Sequence, residues 1–339
     1  MQKTLIIPPG KVGLVLGGGG FFGSFQVGVL EVLSEYGIPI EKVAGTSVGA
    51  IAGAEIVASN FSAAHLKNIW LNGITSPDIV FDRKAVHKIF LGDSVFRIEP
   101  LLNLIGGNLD LNNLLASDKE FIATTTHIPS GKVVYFSNKD PLILEDPIKM
   151  LLAIVASCAI PVAFPLVKIV SKDPWNKSES QELTEQFYID GAYRRPLPIK
   201  KMIELLNGVH DGCNTVIVVR CHSDKIMRPM PKRTHERILY SQGISHNGKE
   251  KDEIAYIREK YAGKINLIVI EPDFFPSTLG TLSFKKGDFG KAIAEGRRVA
   301  IRELEHLLDY FSNNSAGGNS SVPPPSPLPP QGGERTEGN

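Results

Sequence analysis

Twice within the first sixty residues a short apolar run ends in a glycine-bounded turn and continues into a helix-forming stretch. Val12–Leu16 reads as a buried strand. The run Gly17-Gly18-Gly19-Gly20-Phe21-Phe22-Gly23 follows it. Ser24–Tyr36 then reads as a helix, apolar at Val27, Leu30, Val32 and Leu33 and closed by Gly37. Val43-Ala44 ends a second strand, Gly45-Thr46-Ser47-Val48-Gly49 makes the turn, and a second helix starts at Ala50 and runs to Ala58. Strands that alternate with helices in this way pair in parallel through right-handed crossovers. The expected fold is therefore a three-layer α/β/α domain with a mainly parallel central sheet.

Further strands are expected at Phe121–Thr125 and Val133–Phe136, about a Pro129-Ser130-Gly131 turn, and at Phe187–Ile189, Val216–Val219 and Ile265–Ile270. Lys172–Gln181 reads as a polar loop. The stretch from Met150 to Val167 carries no charge, but Pro161 and Pro165 interrupt it. It predicts a buried helix over Leu151–Cys158 and a strand over Pro165–Val170, not a membrane span. Gly290–Phe311 reads as an amphipathic helix. From Ser312 the composition turns to Asn, Ser, Gly and Pro, which divides the chain into a domain over 1–311 and a disordered tail over 312–339. Leu5-Ile6-Ile7 is cut short by Pro8-Pro9, so no signal peptide is expected, and the location expected is cytoplasmic or peripheral to a membrane. Lys plus Arg (37) balance Asp plus Glu (36), which gives no case for nucleic-acid binding. Three cysteines build no disulfide framework.

Three motifs carry chemistry. Gly45-Thr46-Ser47-Val48-Gly49 has the G-x-S-x-G form between a strand and a helix, the context of a nucleophile elbow. Gly18-Gly19-Gly20-Phe21-Phe22-Gly23 has two meanings. One is a dinucleotide fingerprint with pyrophosphate at the helix N-terminus. The other is an oxyanion hole built from exposed backbone amides. The dinucleotide reading needs an acidic residue at the end of the next strand. Glu41 is expected before that strand, and the strand delivers Ser47 instead. Asp190-Gly191-Ala192 follows a short strand, which can set a carboxylate into a site.

In this order, GGGGFFG (17–23), GTSVG (45–49) and DGA (190–192) resemble the three blocks of the patatin-like phospholipase family. A fourth block, Ala156-Ser157-Cys158-Ala159-Ile160-Pro161 with Phe164-Pro165, is similar to the segment that precedes the aspartate in bacterial members. The resemblance runs from about Val12 to Pro198. It implies lipid acyl hydrolysis by a Ser–Asp dyad through a covalent acyl-enzyme, with no metal or organic cofactor. Ser47 would be the nucleophile and Asp190 its base. The amides around Gly18, Gly19 and Gly20 would hold the oxyanion, with Gly23, Gly45, Gly49, Gly191 and Ala192 completing the motifs. The chain departs from many members at Phe22, where they carry Arg or Lys. That leaves phospholipid and neutral lipid both open. Phe21-Phe22 could form an apolar mouth for an acyl chain.

Other readings stay open. A Ser–His–Asp triad could use His210 or His222. His210, Cys213, Cys221 and His222 suggest a metal cluster, but an extended Thr215–Val219 would hold the two ends about 26 Å apart. Cys158 reads as a small buried hydrophobe. Lys225, Arg228, Lys232, Arg233 and Arg237 form a basic segment able to meet anionic headgroups at a lipid interface.

Overall fold

A computed structural model describes residues 10–80, 94–174, 176, 182–206, 214–226 and 234–315. Its strands are β1 (Val12–Leu16), β2 (Ile40–Thr46), β3 (Glu120–His127), β4 (Val133–Ser137), β5 (Val167–Ser171), β6 (Thr184–Asp190), β7 (Asn214–Val219) and β8 (Ile265–Ile270). The helices are α1 (Ser24–Glu35), α2 (Val48–Ala58), α3 (Ala64–Asn68), α4 (Glu99–Asn108), α5 (Leu111–Ala116), α6 (Pro141–Glu145), α7 (Ile148–Ser157), α8 (Ile199–Leu205), α9 (Thr234–Lys260) and α10 (Asp288–Ser315).

Alternate residues of the central strands enter two separate cores. Leu14, Leu16, Val43, Phe121, Ala123, Ile217 and Val219 face one, packed by α1, α2, α7 and α10. Val15, Ala44, Ile122, Val216 and Val218 face the other, packed by α8 and α9. A sheet covered on both faces needs apolar side chains in both registers, which is why these strands are near-continuous apolar runs. The three layers expected from the sequence are present. The sheet order is β5-β6-β3-β2-β1-β7-β8. The strands from β3 to β8 in that order are parallel. β4 and β6 run antiparallel to β3, and β5 antiparallel to β6.

Strand β3 positions the site. β4 takes one edge along Ile122–Thr126. On the other edge β2 pairs as far as Thr46↔Thr124, and β6 takes over at Asp190↔Thr125. Two strands of opposite direction thus meet end to end on a shared edge, and their last residues adjoin.

Several boundaries differ from the sequence reading. β2 runs through Gly45 and Thr46, so the turn shrinks to Ser47 alone. Glu41 is the second residue of β2 and not a residue before it, yet it still lies at the end opposite Ser47. α10 continues to Ser315, past the expected boundary at Ser312, and residues 316–339 lie outside the described residues. The uncharged stretch after Met150 forms α7, a loop and β5. Among the described residues no helix is long and apolar enough to cross a membrane.

Helices α1 and α10 approach closely through paired glycines. A Cβ on Gly28 would collide with the Ile293 carbonyl oxygen, and one on Gly296 with that of Phe25. Gly28→Ala gains helix propensity of about 1 kcal/mol. Overpacking against a backbone carbonyl costs about 1–3 kcal/mol or more, and the clash wins. Gly28→Ala should lower the thermal midpoint. Gly248→Ala, in α9 with open space around it, should raise it by the propensity gain alone. Thermal denaturation of the two variants checks both signs.

Candidate active site

Only one residue separates β2 from α2, and its backbone shows the cost of the turn. Ser47 has φ 56 and ψ −130, a conformation L-residues rarely adopt. The crossing leaves no space for side chains beside it. A Cβ on Gly45 would strike the Gly49 carbonyl, and one on Gly49 the Leu16 carbonyl. The Ser47 amide donates to Ser157 Oγ at 2.8 Å, and that hydroxyl donates to the Thr124 carbonyl at 2.7 Å. Ser157 therefore ties the elbow to the strand that fixes its neighbours. The serine lay within the fourth sequence block, but no pattern there revealed this role.

Asp190 closes β6 and is 2% exposed. Its amide donates to the Ala159 carbonyl at 3.0 Å, and Thr126 Oγ1 donates to its carbonyl at 3.1 Å. One carboxylate oxygen accepts from the Ala192 amide at 2.8 Å, in the tight turn that Gly191 permits beside Thr124. The Ser47 side chain is the other group that lowers the Asp190 pKa, and both residues line one cavity. Burial pushes the Asp190 pKa up to about 7, and the bonds from Ala192 and Ser47 only partly oppose it. The ordinary aspartate value of about 3.9 makes a weak base. The buried one is a better match to a serine hydroxyl at neutral pH.

The glycine loop runs beside both residues because β1 neighbours β7. The Gly17 amide donates to the Val219 carbonyl at 2.9 Å, and the Phe21 amide to the Thr281 carbonyl at 3.0 Å. Gln26 Nε2 donates to the Gly17 carbonyl at 2.7 Å. Gly20 has φ 58 and lies against Thr281, and a Cβ on Gly18 would sit 3.0 Å from the Ser47 Cβ. Among the described residues the amides of Gly18, Gly19 and Gly20 have no hydrogen-bond partner. Gly23 admits Val48 of the elbow helix against its backbone.

Ser47, Gly20, Ile160 and Thr281 line two adjoining cavities. The first is apolar, walled by Phe21, Ile51, Leu66, Trp70, Ile105 and Phe164 among others. The second is polar, walled by Gly18, Gly19, Asp190, Ala192, His222, Gln242, His246 and Glu250. Of the expected aromatic pair, only Phe21 faces the apolar cavity. Phe22 packs on Phe275 with ring centroids 4.8 Å apart, so its role is core packing.

The remaining candidates resolve as follows. Among the described residues no histidine is hydrogen-bonded to Asp190, whose carboxylate takes the Ala192 amide. His222 instead pairs through Nδ1 with Glu250 Oε1 at 3.1 Å, and Arg220 Nε reaches Glu250 Oε2 at 3.0 Å. Burial would raise the Glu250 pKa, but His222 and Arg220 outweigh it, and the carboxyl is held below its usual range. His210 and Cys213 lie outside the described residues. Among the described residues no group of three His, Cys, Asp or Glu side chains could hold a metal. Cys158 is buried, as expected, and burial then Asp190 push its thiol pKa up. Lys225 is not free for headgroups: its Nζ lies 2.8 Å from Asp273 Oδ1. Arg237 is exposed on α9, and Arg228, Lys232 and Arg233 lie outside the described residues.

The fold and site together define an α/β protein organised about a strand–serine–helix elbow. The sequence profile of the family described as patatin-like phospholipase matches residues 14–203, more than half of the chain. The chain belongs to that family. It is 28% identical over 224 residues to Triacylglycerol lipase 4 of Saccharomyces cerevisiae, a match covering 59% of this chain and 23% of that protein. It is 24% identical over 223 residues to Triacylglycerol lipase ptl3 of Schizosaccharomyces pombe, covering 61% and 45%. The matches thus span less than half the length of these two relatives. Among solved structures, VipD from Legionella pneumophila is 14% identical with a TM-score of 0.46, covering 90% of this chain and 71% of that one.

Ser157→Ala should leave the Ser47 amide and the Thr124 carbonyl without their shared partner. A buried unsatisfied group costs about 1–3 kcal/mol. The unfolding free energy should fall by that amount and lower the urea midpoint with no change in slope, a result that equilibrium unfolding reads directly.

Proposed function

We propose that the chain is a lipid acyl hydrolase that cleaves fatty-acyl esters through Ser47 and Asp190. The observation that carries this reading is that Ser47 shares one cavity with a buried Asp190 carboxyl, whose pKa is pushed up to about 7 against the opposing effect of the Ser47 side chain. Ser47 Oγ attacks the ester carbonyl carbon while its proton passes to Asp190. The carbonyl oxygen takes the negative charge and receives the unpartnered amides of Gly18, Gly19 and Gly20. Collapse expels the alcohol, to which Asp190 returns the proton, and leaves the acyl group on Ser47. Water then attacks this acyl-enzyme, gives a proton to Asp190, and the fatty acid departs as Ser47 is reprotonated.

Three features support this assignment. The strained elbow presents the serine at the start of α2, where the helix dipole favours developing negative charge. Preorganised amides in such a site each contribute about 2.7–4 kcal/mol in other hydrolases. The apolar cavity on one side of Ser47 suits an acyl chain, and the polar cavity on the other suits the alcohol half. Family membership and the names of the two lipases point the same way. Phe22 contributes no cation beside the oxyanion, which fits an ester without a phosphate as well as one with it.

Fluorescent fluorophosphonate labelling, read beside turnover of a short-chain p-nitrophenyl ester, tests the proposal. Wild type should label and turn over. Ser47→Ala should do neither, and Asp190→Asn should lose about a thousandfold or more in rate, as befits loss of a general base. Retained turnover in Ser47→Ala would sink the assignment. Because Asp190 acts as a carboxylate, kcat/KM should rise about tenfold per pH unit below about 7 and level off above it.

The same burial has a stability consequence. The folded pKa of Asp190 is raised, so the folded state binds the proton more tightly than the unfolded one. Stability from this group is greatest at low pH and falls as pH rises from the ordinary aspartate range through about 7. Asp190→Asn should therefore raise the thermal midpoint at pH 8, with a difference that shrinks towards pH 4. Paired melts across that window give the sign.

A further inference from the structure

We propose that His222 is a binding residue for the alcohol half of the substrate, taking a hydroxyl through the ring nitrogen that Glu250 leaves free. The proposal rests on the hydrolase reading for the position of the substrate and adds the chemistry of its leaving side. His222 stands two residues beyond Arg220, at the end of β7, in the loop beside the glycine run. Cys221, just before it, packs so closely on Gly19 that a Cβ there would strike the cysteine Cβ. The imidazole is therefore fixed with respect to the amides of the glycine loop.

The His222 side chain is nine-tenths buried, yet it lines the polar cavity that holds Ser47 and Asp190. Its Nδ1 is engaged by Glu250 Oε1 at 3.1 Å. Glu250 is fully buried, and Arg220 Nε at 3.0 Å occupies its second oxygen. An ionised carboxylate only accepts, so Nδ1 carries a proton and donates it. The other ring nitrogen, Nε2, has no hydrogen-bond partner among the described residues. Buried polar groups are nearly always paired, and one left open in a cavity beside a nucleophile is suited to a ligand.

The composition of that cavity selects an uncharged polar group. Among the described residues that line it there is no Lys or Arg. Asp190 lines it beside Gln242 and His246, and both oxygens of Glu250 are already taken by His222 and Arg220. Burial, then His222 and Lys249, push the His246 pKa down to about 4, so this second imidazole is neutral at physiological pH. A phosphate would meet the Asp190 carboxyl and no Lys or Arg of the lining. A hydroxyl of a polyol such as glycerol meets neutral donors and acceptors. The acyl chain occupies the apolar cavity on the far side of Ser47, which leaves the alcohol half in this one.

The test measures binding apart from chemistry. Isothermal titration of the Ser47→Ala chain with 1-O-decylglycerol, a glyceryl ether that cannot be hydrolysed, should show binding. Adding His222→Ala should weaken it about five- to tenfold, the value of one neutral hydrogen bond. His222→Gln, which carries an amide to nearly the same place, should recover part of the loss. Decyl methyl ether, which has no hydroxyl, should be much less affected by either change. In chains that keep Ser47, the loss on a glyceryl ester should appear in KM more than in kcat. Failure of the Ser47→Ala chain to bind the glyceryl ether, or an equal loss on both ethers with no rescue by glutamine, would overturn the proposal. If wild type cleaves no ester but glyceryl ether binding still depends on His222, the hydrolase reading falls and this site stands.

Discussion

One edge of β3 is shared by two strands, and the site depends on that sharing. β2 arrives parallel and leaves at Thr46 opposite Thr124. β6 arrives antiparallel and ends at Asp190 opposite Thr125. Neighbouring positions on one strand thus fix the ends of two strands more than 140 residues apart in sequence. The ladder bonds that set the register of a sheet therefore also set the separation of the serine and the aspartate. A slip of either strand by one residue would turn its side chains to the other face, and the hydroxyl and carboxyl would no longer meet.

That junction is buried, and its energetics follow from the burial. Desolvation raises the Asp190 pKa, while the Ala192 amide and Ser47 hydroxyl hold the carboxyl in one orientation. Ser47 sits in a backbone conformation that costs about 1–3 kcal/mol, retained because Gly45, Gly49 and Ser157 leave it no alternative path. Both features oppose stability. The surrounding layers, with apolar side chains on both faces of five parallel strands, supply the compensation.

The parts of this arrangement written in local pattern were legible in the sequence. The two strand–turn–helix units, the elbow and the Asp-Gly-Ala turn each depend on residues within a few positions of one another. Glycine at 45 and 49 was readable because the backbones cross there. The single-residue turn was not, since Gly45 is a poor strand former, held extended only by pairing with Ala123. The helix α9 escaped notice for a different reason. It lays Glu250 and His246 into the polar cavity and buries Glu253, Ile254 and Ile257 beside them on the helix. A helix whose buried face is partly charged has no clean apolar stripe, and the period that reveals a helix is lost. Phe22 misled in the opposite sense: its neighbour Phe21 reaches the cavity, while Phe22 meets Phe275, a residue that only the fold brings near.

The polar helix also explains how two acidic side chains can share a small cavity with Ser47. Glu250 is neutralised locally by Arg220 and by the proton on His222 Nδ1, so its charge is balanced within hydrogen-bond distance. Arg220 is in turn bonded to Glu271 and Asn247, which turns the guanidinium away from the cavity towards β8 and α9. Asp190 has no such counter-ion: the groups that lower its pKa are the Ala192 amide and the Ser47 side chain. The two carboxyl groups are therefore driven apart in proton affinity. The one matched by Arg220 and the His222 Nδ1–H stays ionised and structural. The one matched only by dipoles gains basicity, and it is the one that faces the serine.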